Sequence, residues 1–321
     1  MTTTTQHVIP VFFATDDGYA PYLSVSLESL IENASAGNLY DVTVLYHDVT
    51  EETRQRLQSM ATDTVHIRFF PIDQEHLKTV QTDKNKLRFD YVTMTIYYRL
   101  FIAEMFPQLD KALYIDADTV ITTDIAELYA LDLNDNLVAA VHDNFISGHP
   151  ETSDYVTDAL GFPVHDYVNS GVLVMNLREL REQHFASFFS GLLTTYHVQS
   201  IAADQDYLNV ICHDRILKLG PEWNTMMAEG EALTHDPKII HYNLFGKPWN
   251  YRDAPNADYF WDYAERSPYY SKLVDGLNSF TQDQKLSDAM KREGLIRQAA
   301  QIPQNPVTFS KLARNGVRVT L

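Results

Sequence analysis

Two carboxylates stand one residue apart in "LYIDADTVI", at Asp116 and Asp118, where an apolar run ends. Ala112 to Ile115 reads as a buried strand, and two unpaired anions beside it would cost several kcal/mol, so cationic compensation is expected. Two readings of the pair stand side by side. In one, both aspartates cap nearby backbone amides in a turn. In the other, a strand that alternates its faces turns both side chains to one side, as oxygen ligands for a divalent cation that in turn holds phosphate. Ala117 then lies on the opposite face. Spacing alone does not choose between them.

Other stretches add groups of matching chemistry. "HYNLFGKPW" sets His241 at the end of a predicted strand and Lys247 between Gly246 and Pro248. An imidazole joining two carboxylates makes a mixed nitrogen and oxygen shell, which suits Mn²⁺ better than the oxygen-preferring Mg²⁺. Lys247 is either a fixed charge for a phosphate oxygen or a solvated loop lysine. "ADQDYLN" brings Asp204, Gln205 and Asp206 near a helix start, where aspartates serve as caps or bind sugar hydroxyls. In "DYVNSGV", Asn169 is either a turn former or a ligand contact.

These residues need a scaffold, and the pattern around them describes one. "HVIPVFFAT", "YDVTVLYHD" and "VHIRFFPID" read as strands, alternating with helices at "PYLSVSLESLIENA" and at "TEETRQRLQSM", the latter capped by Thr50. Such alternation predicts strand-helix-strand units and a mainly parallel sheet. "FDYVTMTIYYRLFIAEMFP" reads as a buried helix ended by Pro107, delivering the chain to "KALYIDAD". Asp116 and Asp118 are thus strand-end residues, and ligands bind beyond the carboxyl ends of strands in open α/β sheets. Asp16 and Asp17, ending the first strand, are expected to point into the same crevice.

Further on, "NLVAAVHD", "YVNSGVLVMNL", "RILKLG" and "KIIHYN" read as strands. "RELREQHFASFFSGLL", "AADQDYLNVIC" and the aromatic-rich "NADYFWDYAERSPYYSKL" read as helices. Two regions are expected: a catalytic domain over residues 1–265 and a helical, basic extension over 266–321. From Thr281 onward seven Lys and Arg face three acids, which suits peripheral contact with an anionic membrane surface or simply a solvated face.

Composition narrows the class. The 321 residues, 45% hydrophobic, are enough to bury a large core. A net charge of −18 argues against nucleic acid, whose affinity is built from clustered Lys and Arg. The single cysteine, Cys212, forms no internal disulfide or cysteine zinc site, which fits a reducing cytoplasm. The first residues lack a basic region and their apolar run is broken by Pro10, unlike a signal peptide.

Taken in order, "FATDDGYAPYLSVSLESL", "TIYYRL", "LYIDADTVI", "YVNSGVLVMNL", "ADQDYLN" and "HYNLFGKPW" resemble glycosyltransferase family 8, the retaining enzymes similar to bacterial lipopolysaccharide galactosyltransferases. The resemblance covers about residues 8–265. It implies a GT-A fold, a Rossmann-like mixed sheet flanked by helices, with a UDP-sugar donor and Mn²⁺, or Mg²⁺ as the alternative ion. By motif, it implies that Asp116, Asp118 and His241 are the metal ligands. Ala14, Thr15, Asp16 and Tyr19 would form the nucleoside pocket, with Asp116, Ala117 and Lys247 also contacting the nucleotide. Arg99, Asn169, Asp204 and Gln205 would surround the donor sugar. Gly18 and Leu244 depart from the pattern, standing where the family often has asparagine and glycine.

The implied reaction is transfer of galactose or glucose to a hydroxyl of a glycan, glycoprotein or lipid-linked acceptor. Gln205 lies where the family sets a residue behind the anomeric carbon; an amide is a poor nucleophile, which favours front-face return, with Asp204 and Asp206 as alternative catalytic groups. Two other functions compete. A sugar-1-phosphate nucleotidyltransferase should carry a glycine-rich basic loop after the first strand, whereas "FATDDGYA" is acidic. A silent sugar-nucleotide or glycan-binding module would release no UDP. Self-glucosylation on one of the nineteen tyrosines is a further variant.

Overall fold

The computed structural model describes residues 7–72, 97–226, 233 and 235–321. Each apolar run of the N-terminal region forms a strand: β1 (His7–Thr15), β2 (Asn38–Tyr46) and β3 (Val65–Pro71). Between them lie helix α1 (Ala20–Asn33), with Pro21 in its first turn, and α2 (Glu51–Gln58). The Thr50 hydroxyl caps α2 by accepting from the Thr53 amide at 3.3 Å, as its sequence predicts. Leu23, Leu27 and Leu30 of α1 are buried against the sheet, the consequence of their helical spacing.

The central strands are β4 (Lys111–Ile115), β6 (Val138–Ala140), β7 (Val172–Asn176) and β8 (Ile216–Lys218). Among the described residues they complete a seven-stranded sheet of order β3-β2-β1-β4-β7-β6-β8. The pairs β1–β2, β2–β3, β1–β4 and β6–β8 are parallel. β7, however, runs antiparallel to both β4 and β6, with Ile115 opposite Val172. The sheet is therefore mainly parallel, as the alternation predicts, and mixed through β7 alone, which runs against the other six strands. A separate two-stranded ribbon pairs β5 (Thr119–Ile121) with β9 (Ile239–His241).

Alternation along the strands divides the core in two. Phe12, Tyr114, Leu173 and Met175 face one side with Phe189 and Tyr207, while Val11, Phe13, Leu113 and Val174 face α1. Ala299, Ile302, Phe309 and Val319, from the C-terminal region, join the first of these cores. The helix Gln282–Gln301 leading there begins with a capping box between Thr281 and Gln284. Near its start Asp288 accepts from the Tyr251 hydroxyl at 3.3 Å.

Three predicted helices differ. The charged stretch after β7 breaks into Leu177–Glu182 and Phe185–Tyr196, because His184 takes a left-handed φ of 57°. The aromatic-rich stretch divides into Ala257–Ala264 and Tyr270–Ser279 around Pro268, which disfavours a continuous helix at and before itself. Of the helix predicted before Pro107, residues preceding Tyr97 lie outside the described residues. The remainder is a 3₁₀ turn over residues 97–101 followed by Ile102–Met105.

Candidate active site

The two small elements β5 and β9 create the site's geometry. Their register sets Thr119 opposite His241, and the Tyr242 amide donates to the Asp118 carbonyl at 3.0 Å. Asp116 sits one residue beyond β4, its amide donating to the Gly171 carbonyl at 2.7 Å. His241 Nε2 consequently lies 3.2 Å from Asp118 Oδ1 and 3.7 Å from Asp116 Oδ2. One ligand atom from each of the three residues falls within 4.8 Å of the others.

Gly171 makes this convergence sterically feasible. A β-carbon there would lie 2.2 Å from His241 Cε1 and 2.8 Å from Asp116 Oδ2. Two hard carboxylate oxygens and one imidazole nitrogen, in a cradle that a methyl group would fill, fit a divalent cation. His241 Nδ1 meets Asn224 Oδ1 at 3.0 Å, the outer contact common to metal-binding histidines.

The compensating cations are also present. Lys247 Nζ is 2.6 Å from Asp118 Oδ2, donates to the Tyr242 carbonyl as well, and stands 5.5 Å over the Trp249 ring. Burial opposes ionisation of Asp118, but Lys247 and then His241 outweigh it and hold the carboxyl well below the usual range. Arg99 is 5% exposed, and its Nη2 lies 2.9 Å from Asp116 Oδ1 while its Nε lies 3.2 Å from Asp204 Oδ2. Its Nη1 donates to the Ser170 carbonyl at 2.6 Å. The Tyr114 hydroxyl adds a 2.9 Å bond to Asp116. Among the described residues, the two carboxylates bond to side chains and not to backbone amides, so the cap-and-turn reading does not describe them.

Asp204, Gln205 and Asp206 open the helix Ala203–Cys212, buried on all three counts, and they diverge. Asp204 faces Arg99, and burial raises its carboxyl despite that partner. Gln205 is held at both ends of its amide. Its Oε1 accepts from the Ser170 amide at 2.9 Å, and its Nε2 donates to Asp143 Oδ2 at 3.0 Å and to the Tyr167 hydroxyl at 3.1 Å. Asp206 turns away, accepting from Tyr155, Tyr167 and the Ala202 amide at 2.7, 2.6 and 3.1 Å. Burial pushes its carboxyl up to about 6 against those hydrogen bonds.

Asn169 Nδ2 donates to the same Asp143 oxygen at 3.0 Å, and its Oδ1 accepts from the Gly171 amide and from Asn224 Nδ2, both at 2.9 Å. At the end of β1, Ala14 and Thr15 are buried and Asp16 accepts from the Tyr19 amide at 2.8 Å. Tyr19 is 40% exposed and packs edge-on to Tyr22, which stacks on Trp249 at 3.9 Å. Ala117 is buried in the core on the α1 side of the sheet. Asp17 does not share the crevice. Its carboxylate accepts from the Thr50 amide at 3.1 Å, tying β1 to the start of α2.

Hydrogen bonds and ion pairs thus link Arg99, Asp116, Asp118, Asn169, Asp204, Gln205, His241 and Lys247. Residues the sequence did not single out complete the cluster: Asp143, Asn224, Gly171 and the Tyr155 and Tyr167 hydroxyls. Asp143 ends a strand-like run, a weak signal of the same type as Asp116; nothing around Asn224 in "PEWNT" marks it.

The chain is also similar to known proteins. A family model described as glycosyl transferase family 8 matches residues 10–253. A lipopolysaccharide 1,2-glucosyltransferase of Escherichia coli is 28% identical over 286 residues, 82% of this chain and 81% of that protein. The solved galactosyltransferase LgtC, in complex with donor and acceptor sugar analogs, superposes with a TM-score of 0.67 at 25% identity, over 81% of this chain and 96% of the other. The apo structure of the bifunctional glycosyltransferase WbbM gives 0.75 at 26% identity, over 87% of this chain but 53% of that one. Likewise, the match to a putative glycosyltransferase of Haemophilus influenzae, 26% identical over 67% of this chain, spans 62% of that protein.

Proposed function

The chain belongs to glycosyltransferase family 8 and has the GT-A fold, and from that premise we propose that it moves a hexose, galactose or glucose, from a UDP-sugar to a hydroxyl of a glycan, glycoprotein or glycolipid, with retention at the anomeric carbon. The observation that carries this reading is the meeting of Asp116, Asp118 and His241 with two buried cations, Lys247 and Arg99, beyond the ends of β4 and β9. Such a cluster suits a diphosphate leaving group. Among the described residues no helix is long and apolar enough to cross a membrane.

Asp116, Asp118 and His241 would hold Mn²⁺, or Mg²⁺ as the alternative ion, which when bound supplies positive charge to the leaving diphosphate. Lys247, already fixed on Asp118, adds a second charge at the same place. Ala14, Thr15, Asp16 and Tyr19 would form the nucleoside side, with Tyr19 offering an exposed ring for stacking, and Asp116, Ala117 and Lys247 would also contact the nucleotide. Arg99 pairs with Asp204, and Asn169 and Gln205 share the Asp143 carboxylate, which would set all four toward the donor sugar.

The transfer is a same-face substitution. The bond from the anomeric carbon to the β-phosphate oxygen breaks and its electron pair leaves with UDP. The acceptor oxygen bonds to that carbon on the same face, and its proton passes to the departing phosphate oxygen. Gln205, anchored by Ser170, Asp143 and Tyr167, contributes a fixed dipole rather than a nucleophile. Asp206, satisfied by three donors, organises the helix start and takes no part in bond exchange. Exposed Leu286 and Met290 beside Lys285 and Lys291 support peripheral contact with an anionic lipid surface as part of the same reading.

The test is UDP release from UDP-glucose, UDP-galactose, UDP-GlcNAc and UDP-GalNAc, with Mn²⁺ or EDTA, for the native protein and Asp118→Asn. Metal-dependent release from one hexose donor, lost in the variant, is the expected result. Release that survives EDTA and Asp118→Asn would overturn it.

A further inference from the structure

Two backbone amides fix the polarity of a hydrogen-bond chain that ends on His241. An N–H only donates, so the Gly171 amide at 2.9 Å requires that the Asn169 atom facing it be the carbonyl oxygen. The Asn169 NH₂ group then faces Asp143. The same Asn169 oxygen receives the Asn224 NH₂ group, so the oxygen of Asn224 is the atom turned to His241 Nδ1 at 3.0 Å. An amide oxygen accepts only. Nδ1 must therefore carry a proton.

A second anchor reaches the same carboxylate from the other side. The Ser170 amide requires the oxygen of Gln205, which turns the Gln205 NH₂ group to Asp143 Oδ2, where it meets that of Asn169. Asp143 is 2% exposed and Asn224 1% exposed, so no member of the chain has bulk water as an alternative partner.

We propose that Asn224 is a positioning residue that keeps the proton on His241 Nδ1, so that Nε2, which faces the Asp118 carboxylate at 3.2 Å, is the ring nitrogen left to a cation in the gap between Asp116 and Asp118. A free histidine side chain favours the opposite tautomer, with its proton on Nε2, where it would block a metal. The inference rests on the reading of Asp116, Asp118 and His241 as metal ligands, and it assigns that site an outer residue 17 positions from the histidine, at the end of the 3₁₀ turn Pro221–Asn224. The Asn169–Asp143–Gln205 chain extends the restraint to the donor-sugar side.

The test compares the metal-free full chain with Asn224→Leu and Asn224→Asp. Mn²⁺ affinity is followed by electron paramagnetic resonance, and thermal unfolding is followed in parallel. Asn224→Leu should bind Mn²⁺ about 10–100-fold more weakly. Asn224→Asp keeps an acceptor for Nδ1–H while losing the donor to Asn169, and should bind within about threefold of the native protein. If Asn224→Asp is as weak as Asn224→Leu, or Asn224→Leu binds normally, Asn224 does not act through the ring. A native protein that binds no Mn²⁺ would sink the metal reading instead. The tautomer is then still read directly, by ¹⁵N shifts of the metal-free His241 ring at mildly alkaline pH, assigned by their loss in His241→Asn. A protonated Nδ1 in the native protein that becomes bare in Asn224→Leu supports the proposal; a bare Nδ1 in the native protein overturns it.

Discussion

Gly171 and His241 approach so closely that a single added carbon on the glycine would lie 2.2 Å from the imidazole. Gly171→Ala should therefore displace the ring and loosen the metal cluster rather than unfold the sheet. We expect UDP release to fall at least about 100-fold, since misplacement of a site group by about 1 Å has that effect. Mn²⁺ affinity should fall with it while the circular dichroism spectrum stays native.

Lys247 and a cation both claim Asp118. Lys247→Met removes the 2.6 Å partner of a buried carboxylate, which should destabilise the metal-free protein by up to roughly 3–5 kcal/mol. Because its folded-state carboxyl is held low, Asp118 contributes stability above the ordinary carboxylate range and loses it on acidification. Denaturant titrations across acid pH should show a smaller acid-linked loss in the variant. Mn²⁺ alone should bind no more weakly than to the native protein, whereas UDP binding with Mn²⁺ should weaken.

Asp206 has the opposite sign. Its carboxyl is raised to about 6, so the folded state holds the proton more tightly and stability falls as pH rises from about 4 through 6. The ionised group should cost roughly 3 kcal/mol at neutral pH. Asp206→Asn should be increasingly favoured over the native protein across that window. Chemical denaturation at pH 4 and pH 7 measures the difference.

Leu244 holds a left-handed φ of 54°, a conformation that costs an ordinary residue roughly 1–2 kcal/mol. Leu244→Gly relieves this but adds about 0.5–1 kcal/mol of unfolded-state freedom, so a gain of up to about 1 kcal/mol is expected. Leu244→Val, with a branched β-carbon, should lose stability instead. Melting temperatures of the three proteins rank the effect.

The strands and the chemical groups they deliver were legible because apolar runs and strand-end polar residues are local signals. Asp116, Asp118, His241 and Lys247 were visible in this way. The antiparallel entry of β7 was not, since the turn at Ser170 and Gly171 is decided by contacts with Asp116 and Gln205 from distant segments. His184 ended one helix without proline or glycine to announce it. Pro268, by contrast, was in plain view and should have divided the aromatic helix. Asn224 carries no local signal because its meaning lies in partners at positions 169 and 241.

The ion pairs of the two central aspartates also have an order in time. Arg99, which neutralises Asp116, emerges from a ribosome before it, whereas Lys247, which neutralises Asp118, and His241 beside it emerge more than a hundred residues after. At 5–20 residues per second that interval is on the order of ten seconds. The nascent sheet thus grows with Asp118 exposed to water, and the β5–β9 ribbon closes over it only when the strand carrying His241 arrives. The arrival of His241 and Lys247, not the folding of the first strands, completes the site.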